Sequence, residues 1–185
     1  MSDSFLALAH WPVHNKNREV IASALTTIDM HDLARSAATY GLAGFFVVTP
    51  VEDQLRVAGE MLDHWRLGWG AAYNSTRREA LGLVHLTKNL GETAAAIESR
   101  CGRPPLMIGT SAAPGPGRAS FGEVKKLMAG DRPSCLVLGT AWGLTPEAMD
   151  DFDLLLEPII GPTKYNHLSV RSAAGIILDR LFGQR

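Results

Sequence analysis

Residues 135–146 read Cys-Leu-Val-Leu-Gly-Thr-Ala-Trp-Gly-Leu-Thr-Pro and hold the repeating unit of the fold. Cys135 to Leu138 is a continuous apolar run, as expected of a strand buried on both faces. Gly139 to Leu144 is a loop. Thr145 followed by Pro146 is a capping hydroxyl and a first-turn proline, which together open a helix. The same order recurs on either side. Upstream, Leu106 to Ile108 is a strand, followed by a Gly/Pro-rich loop and a helix from about Ser120 to Met128. Downstream, Leu154 to Leu156 is a strand. A loop and a final helix, Leu168 to Phe182, follow, and Val170, Ala173, Ala174, Ile177 and Leu181 share one stripe of that helix.

Toward the N-terminus the pattern is looser. Ala43 to Thr49 reads as a buried strand, and Pro50 as the start of a helix with Leu55, Ala58, Leu62, Trp65 and Trp69 on one stripe. Before them, Met30 to Tyr40 is a helix closed by Gly41. Phe5 to Val13 and Glu19 to Leu25 read as two strands of a hairpin. One long helix is expected from about Ser75 to Ser99, bent near Asn89-Leu90-Gly91. Strands alternating with helices imply an α/β fold with a mostly parallel sheet flanked by helices, and no linker divides residues 1–185 into more than one domain.

With 46% hydrophobic and 20% charged residues, the 185-residue chain has the balance of a soluble globular protein. No apolar run approaches the roughly 20 residues that cross a bilayer. Met1 to Ala9 lacks the basic flank of a signal peptide, so a cytoplasmic protein without membrane contact is expected. Cys101 and Cys135 stand apart, and the six histidines show no Cys/His pairing at zinc-like spacing, so neither a disulfide nor a metal is expected. A net charge of −1 excludes a protein that lives on nonspecific nucleic-acid binding. Any RNA contact has to come from a local basic patch or a composite surface.

In an open parallel sheet, ligands bind beyond the carboxyl ends of the strands. Three strand ends carry distinctive loops: Gly109-Thr110-Ser111-Ala112, Gly139 to Leu144, and Pro158 to Asn166. Their glycines permit close backbone approach and their hydroxyls offer donors and acceptors, which suits a nucleoside-like ligand. Each also has a plain structural reading. Strand-Gly-Thr ends are common, and Asn166 and Ser169 are good helix caps. Gly115-Pro116-Gly117 lacks the Lys-Ser/Thr ending of a phosphate loop. There is no G-x-G-x-x-G after the first strand and no G-x-S-x-G elbow.

The segment Asn166-His167-Leu168-Ser169-Val170-Arg171-Ser172-Ala173-Ala174 resembles the last motif of the SPOUT superfamily of RNA methyltransferases. Leu138 to Leu144 resembles the preceding motif, although Ala141-Trp142 stand where many members carry a glutamate. Asp29 to Arg35 resembles the first motif, with Asp29 in the place of an asparagine and Arg35 matching its arginine. The resemblance covers most of the chain from Asp29 onward and is nearest to an uncharacterised bacterial subgroup.

What the resemblance implies is specific. The fold would be a SPOUT-type α/β knot with a C-terminal trefoil knot, and the cofactor S-adenosylmethionine. Gly109, Thr110, Ser111, Gly139, Thr140, Leu144, Ile159, Tyr165, Asn166, Leu168 and Ser169 would bind it. The substrate would be tRNA or rRNA, methylated on a base or ribose, and a homodimer would complete each site. Arg35 would orient a phosphate or lower the pKa of the methyl acceptor, and Asp29 or His31 would take its proton. Helix capping is the competing reading for Asp29 and surface charge for Arg35. His10, Trp11, His14, Asn15, Lys16 and Arg18 form a polar-aromatic stretch that suits an RNA surface or a solvated turn. The alternative to an enzyme is a noncatalytic nucleoside- or RNA-binding module on the same fold.

Overall fold

The structure, a computed structural model, describes residues 3–184; Met1, Ser2 and Arg185 of the expected 1–185 domain lie outside the described residues. In chain order the elements are β1 (Ser4–Ala9), β2 (Val13–His14), β3 (Val20–Ile21), α1 (Thr27–Thr39), β4 (Gly44–Val48), α2 (Glu52–Arg66), α3 (Trp69–Tyr73) and α4 (Ser75–Gly82). They continue with β5 (Val84–Thr87), α5 (Leu90–Cys101), β6 (Leu106–Gly109), β7 (Arg118–Ala119), α6 (Phe121–Met128), β8 (Ser134–Gly139), α7 (Pro146–Asp150), β9 (Leu154–Leu156) and α8 (Val170–Phe182).

Seven strands form one sheet in the order β5-β4-β1-β8-β6-β9-β7, and every neighbouring pair is parallel. The chain first winds outward from β1 through β4 to β5. It then crosses to the other side and places β8 between β1 and β6. The strand order therefore reverses at the centre of the sheet, where ligand crevices form.

The pleat explains why the central strands are apolar throughout. Leu6, Leu8, Phe45, Val47, Leu136 and Leu138 face a layer containing Met30 and Leu33 of α1, Leu81 of α4 and Leu178 of α8. Phe5, Ala7, Phe46, Val48, Cys135 and Val137 face the opposite layer with Ile97 of α5 and Leu144. Successive side chains alternate faces, so both sets must be hydrophobic. Cys135 is buried there and its thiol is pushed up to about 12 by desolvation, and Cys101 is also free.

Several expectations change. The helix expected over 75–99 is instead two helices separated by the edge strand β5, because Gly82 ends α4 and Val84 and Leu86 pair into the sheet beside β4. The first strand stops at Ala9, and the hairpin joins β2 to β3 rather than β1 to a later strand. Pro50 precedes the start of α2, whose cap is Val51, and Trp69 lies beyond its end at Arg66. β7 is short and carries Arg118 rather than an apolar run, so no hydrophobic pattern announced it. Gly41 does close α1, with φ +69.

Candidate active site

The three loops singled out in the sequence leave neighbouring strands of the sheet at the same end. Gly109 ends β6, Gly139 ends β8 and Leu156 ends β9, and β6 lies between the other two. Asn166 Nδ2 donates to the carbonyl of Ala112 at 2.9 Å, which ties the third loop to the first. Asn166 is thus a tie between loops rather than a helix cap. The capping role belongs to Ser169, whose hydroxyl accepts from Ser172 N at the start of α8.

The threonines shape these loops. Thr110 Oγ1 donates to the Val137 carbonyl at 3.0 Å, and Thr140 Oγ1 to the Ala9 carbonyl at 3.1 Å. Each hydroxyl folds its loop back onto a neighbouring strand. Leu144 packs into the core beside Val13, so it braces its loop from beneath. A Cβ on Gly139 would stand 2.8 Å from the backbone nitrogen of Leu144, so the loop closes on a glycine that cannot be replaced in place. Ile159 is partly buried against the core, whereas Ile160, Tyr165 and Leu168 are exposed. Tyr165 stands edge-on to His167. Ser111 accepts from Ala113 N and turns the first loop.

A second arrangement was not visible in the sequence. His10 follows β1 at the centre of the sheet and is 1% exposed. Its Nδ1 lies 2.9 Å from Ser23 Oγ, and Ser23 Oγ lies 2.5 Å from Thr140 Oγ1. The Ala9 carbonyl at the end of this chain can only accept. The assignment that uses every proton runs from His10 Nδ1–H to Ser23, to Thr140, to Ala9. Burial pushes the His10 imidazole below its ordinary range, while the carboxylate of Asp29 acts in the opposite sense. The neutral ring is therefore the resident form.

The three residues read as catalytic do not converge. Asp29 lies at the start of α1, where Thr26 is the cap, and is 8% exposed. It pairs with Arg171 of α8 and accepts from Thr26 Oγ1 at 2.6 Å. Arg171 also lies 3.6 Å from Asp32. The capping reading for Asp29 is corrected: it is an ion-pair anchor within the first turn. His31 and Arg35, one turn apart, face the other way. His31 stands edge-on to Trp65 of α2 at 5.4 Å, and Arg35 lines a groove between α1 and α4 with Arg77. His31 Nδ1 is buried with no hydrogen-bond partner. Burial first, then Arg77 and Arg35, push its imidazole below the ordinary range, with Asp32 opposing. Arg35 lies about 9 Å along the helix from Asp29, at 1.5 Å per residue. Arg171 sits inside the segment quoted for the last motif, and its spacing alone gave no partner.

Among the described residues, no group of three or more His, Cys, Asp or Glu side chains is placed to hold a metal, and no helix is long and apolar enough to cross a membrane.

The family model described as SAM-dependent RNA methyltransferase matches residues 3–183. The chain belongs to this family, whose methyl donor is S-adenosylmethionine. It is 46% identical over 182 residues to a tRNA (guanine-N(1)-)-methyltransferase of Nitratidesulfovibrio vulgaris, covering 97% of this chain and 42% of that protein. It thus spans less than half of that relative's length. An uncharacterized protein of Aquifex aeolicus is 39% identical over 181 residues, covering 97% of this chain and 88% of its own length. A solved structure described as the A. aeolicus TrmH/SpoU tRNA modifying enzyme superposes with a TM-score of 0.57 at 16% identity, covering 98% of this chain and 74% of that one. The fold is that of the SpoU-type SPOUT proteins.

The loops suit the family's cofactor. Gly143, at φ +94, and Gly161 leave open space where a Cβ would stand. The exposed Ile160 and Leu168 of the third loop offer apolar surface for an adenine face.

Proposed function

We propose that this chain methylates RNA, with S-adenosylmethionine held by the loops after β6, β8 and β9. The observation that carries this reading is the convergence of those loops on adjacent strand ends, fastened by Asn166 to Ala112. We read the return of the chain from β9 past residues 110–117 to α8 as the threading of the trefoil knot.

Bound there, the cofactor supplies an electrophilic methyl group and its own leaving group. The chain's residues must hold the donor, orient the acceptor and remove a proton. Holding reactants in line can contribute about 7 to 11 kcal/mol. Backbone groups of Gly109 to Ser111, Gly139 to Leu144 and Ile159 to Ser169 bind the nucleoside. Arg35 grips an RNA phosphate, since a guanidinium stays charged and bonds phosphate through two parallel donors. His31 is held below the ordinary imidazole range by burial and by Arg77 and Arg35, and takes the acceptor's proton through Nε2, since Nδ1 is buried. Asp29 holds α8 against α1 through Arg171 rather than accepting that proton.

His31 and Arg35 are turned away from α8, toward α2 and α4, and we take this as support for a homodimer in which a second copy completes each site. The names of the relatives favour tRNA as the substrate. The atom methylated need not be the one that the N. vulgaris protein's name states, because the matched part is 42% of that protein.

The test is transfer of labelled methyl from S-adenosylmethionine to bulk tRNA from cells lacking this protein. Incorporation that disappears in Arg35→Ala supports the reading. A chain that binds the cofactor but labels neither tRNA nor rRNA is a binding module instead.

A further inference from the structure

We propose that the short helix α3 and the groove beside α4 form a site for single-stranded RNA, in which a base stacks on Trp69 and Tyr73 and the backbone phosphate lies on Arg77. This rests on the reading that the chain acts on RNA, and it assigns the binding of the strand to residues outside the three motifs.

Three observations meet at one place. Trp69 and Tyr73 stack on each other, with ring centroids 4.7 Å apart and an interplanar angle of 19°. Each is 71% exposed, so the pair is a flat aromatic surface offered to solvent rather than a core contact. The chain runs directly from Tyr73 into Asn74, the cap of α4, where a groove of about 450 Å³ opens between α1 and α4. Arg35, Thr39, Asn74, Thr76 and Arg77 line it, and Glu79 is also on its wall.

The chemistry of the groove selects an anion. Among the described residues no carboxylate lies within ion-pair distance of Arg35 or Arg77. Arg77, which lines the groove, rests over the face of Trp65, 4.8 Å from its centroid, and this contact holds its guanidinium in place. Asn74 accepts from Thr76 and from Arg77 N, so the first turn of α4 is capped and its residues are held in place beside the groove. Arg78, the next residue of α4, is an exposed cation outside the groove's lining.

Stacking aromatics next to a cationic groove is how single strands are held without reading sequence. An RNA strand meets both the charge and the aromatic surface. The chain's near-neutral net charge is compatible with this, since the cations are local.

The experiment uses the full chain and a short fluorescein-labelled oligoadenylate, with anisotropy as the readout. Trp69→Ala is expected to weaken binding about tenfold, and Trp69→Phe to recover most of the loss. Arg77→Ala is expected to weaken binding and to lower the slope of log affinity against log salt by about 0.7. S-adenosylmethionine affinity is expected to stay unchanged in all three variants. Wild-type oligonucleotide affinity in both Trp69→Ala and Arg77→Ala overturns the proposal. So does a dimer in light scattering that Trp69→Ala converts to monomer while oligonucleotide binding persists, since the patch would then be covered by a second copy. Loss of cofactor binding by the wild-type chain would strike the methyltransferase reading and leave this one standing.

Discussion

Arg171, one residue into α8, forms an ion pair with Asp29 in the first turn of α1. The pair joins the helix that follows the third loop to the helix that carries His31 and Arg35. Asp29 is nearly buried, whereas the Arg171 side chain is 38% exposed. Removing the arginine leaves a carboxylate with one remaining partner, Thr26. Arg171→Ala should cost about 2 kcal/mol, between the values for exposed and fully buried pairs. Urea denaturation measures it. Arg171→Ala combined with Asp29→Asn should recover part of the loss, because the uncompensated charge is gone.

The loop after β8 should be intolerant of a side chain at its first residue. Gly139→Ala places a Cβ against the Leu144 backbone and must displace the loop. Cofactor affinity should fall at least tenfold. Gly161→Ala meets no protein atom within 4 Å, so any affinity it loses comes from contact with the bound cofactor rather than from a displaced loop. Calorimetric titration of both variants separates a requirement for glycine from general loop sensitivity.

The hydrogen-bonded chain behind that loop gives a third expectation. Ser23→Ala removes the bridge between His10 and Thr140, both of which lose a buried partner. Stability should fall by about 1 to 3 kcal/mol, the usual cost of an unsatisfied buried polar group. Ser23→Thr, which keeps the hydroxyl, should lose less. Thermal or urea denaturation checks the pair.

Acid should weaken the fold through its histidines. His10 and His31 both lie below the ordinary imidazole value of 6.5, in each case chiefly because burial disfavours the charged ring. Between their folded values and 6.5 the unfolded chain binds more protons, so stability rises with pH across that window and falls as pH drops through it. Urea midpoints should be flat above about pH 7.5 and decline below 6.5. His10→Asn should shallow that decline.

The central strands were legible in the sequence because they are buried on both faces and so read as uninterrupted apolar runs, Phe45 to Val48 and Cys135 to Leu138, bounded by turn residues. β5 was hidden because it is an edge strand with an exposed His85 between Val84 and Leu86, flanked closely by two helices, so its pattern merged into theirs. The loops of the site could be read from their glycines and position. The Arg171–Asp29 pair and the His10–Ser23–Thr140 chain could not, since each joins residues distant in sequence. His31 and Arg35 were read with Asp29 because they are close in sequence. Helical geometry turns them toward a different neighbour.

The central claim is that the three strand-end loops form a cofactor site, and titration of the purified chain with S-adenosylmethionine by calorimetry tests it most directly. Saturable binding that Gly139→Ala weakens at least tenfold is the predicted result. No binding to the wild-type chain at millimolar cofactor would contradict the account.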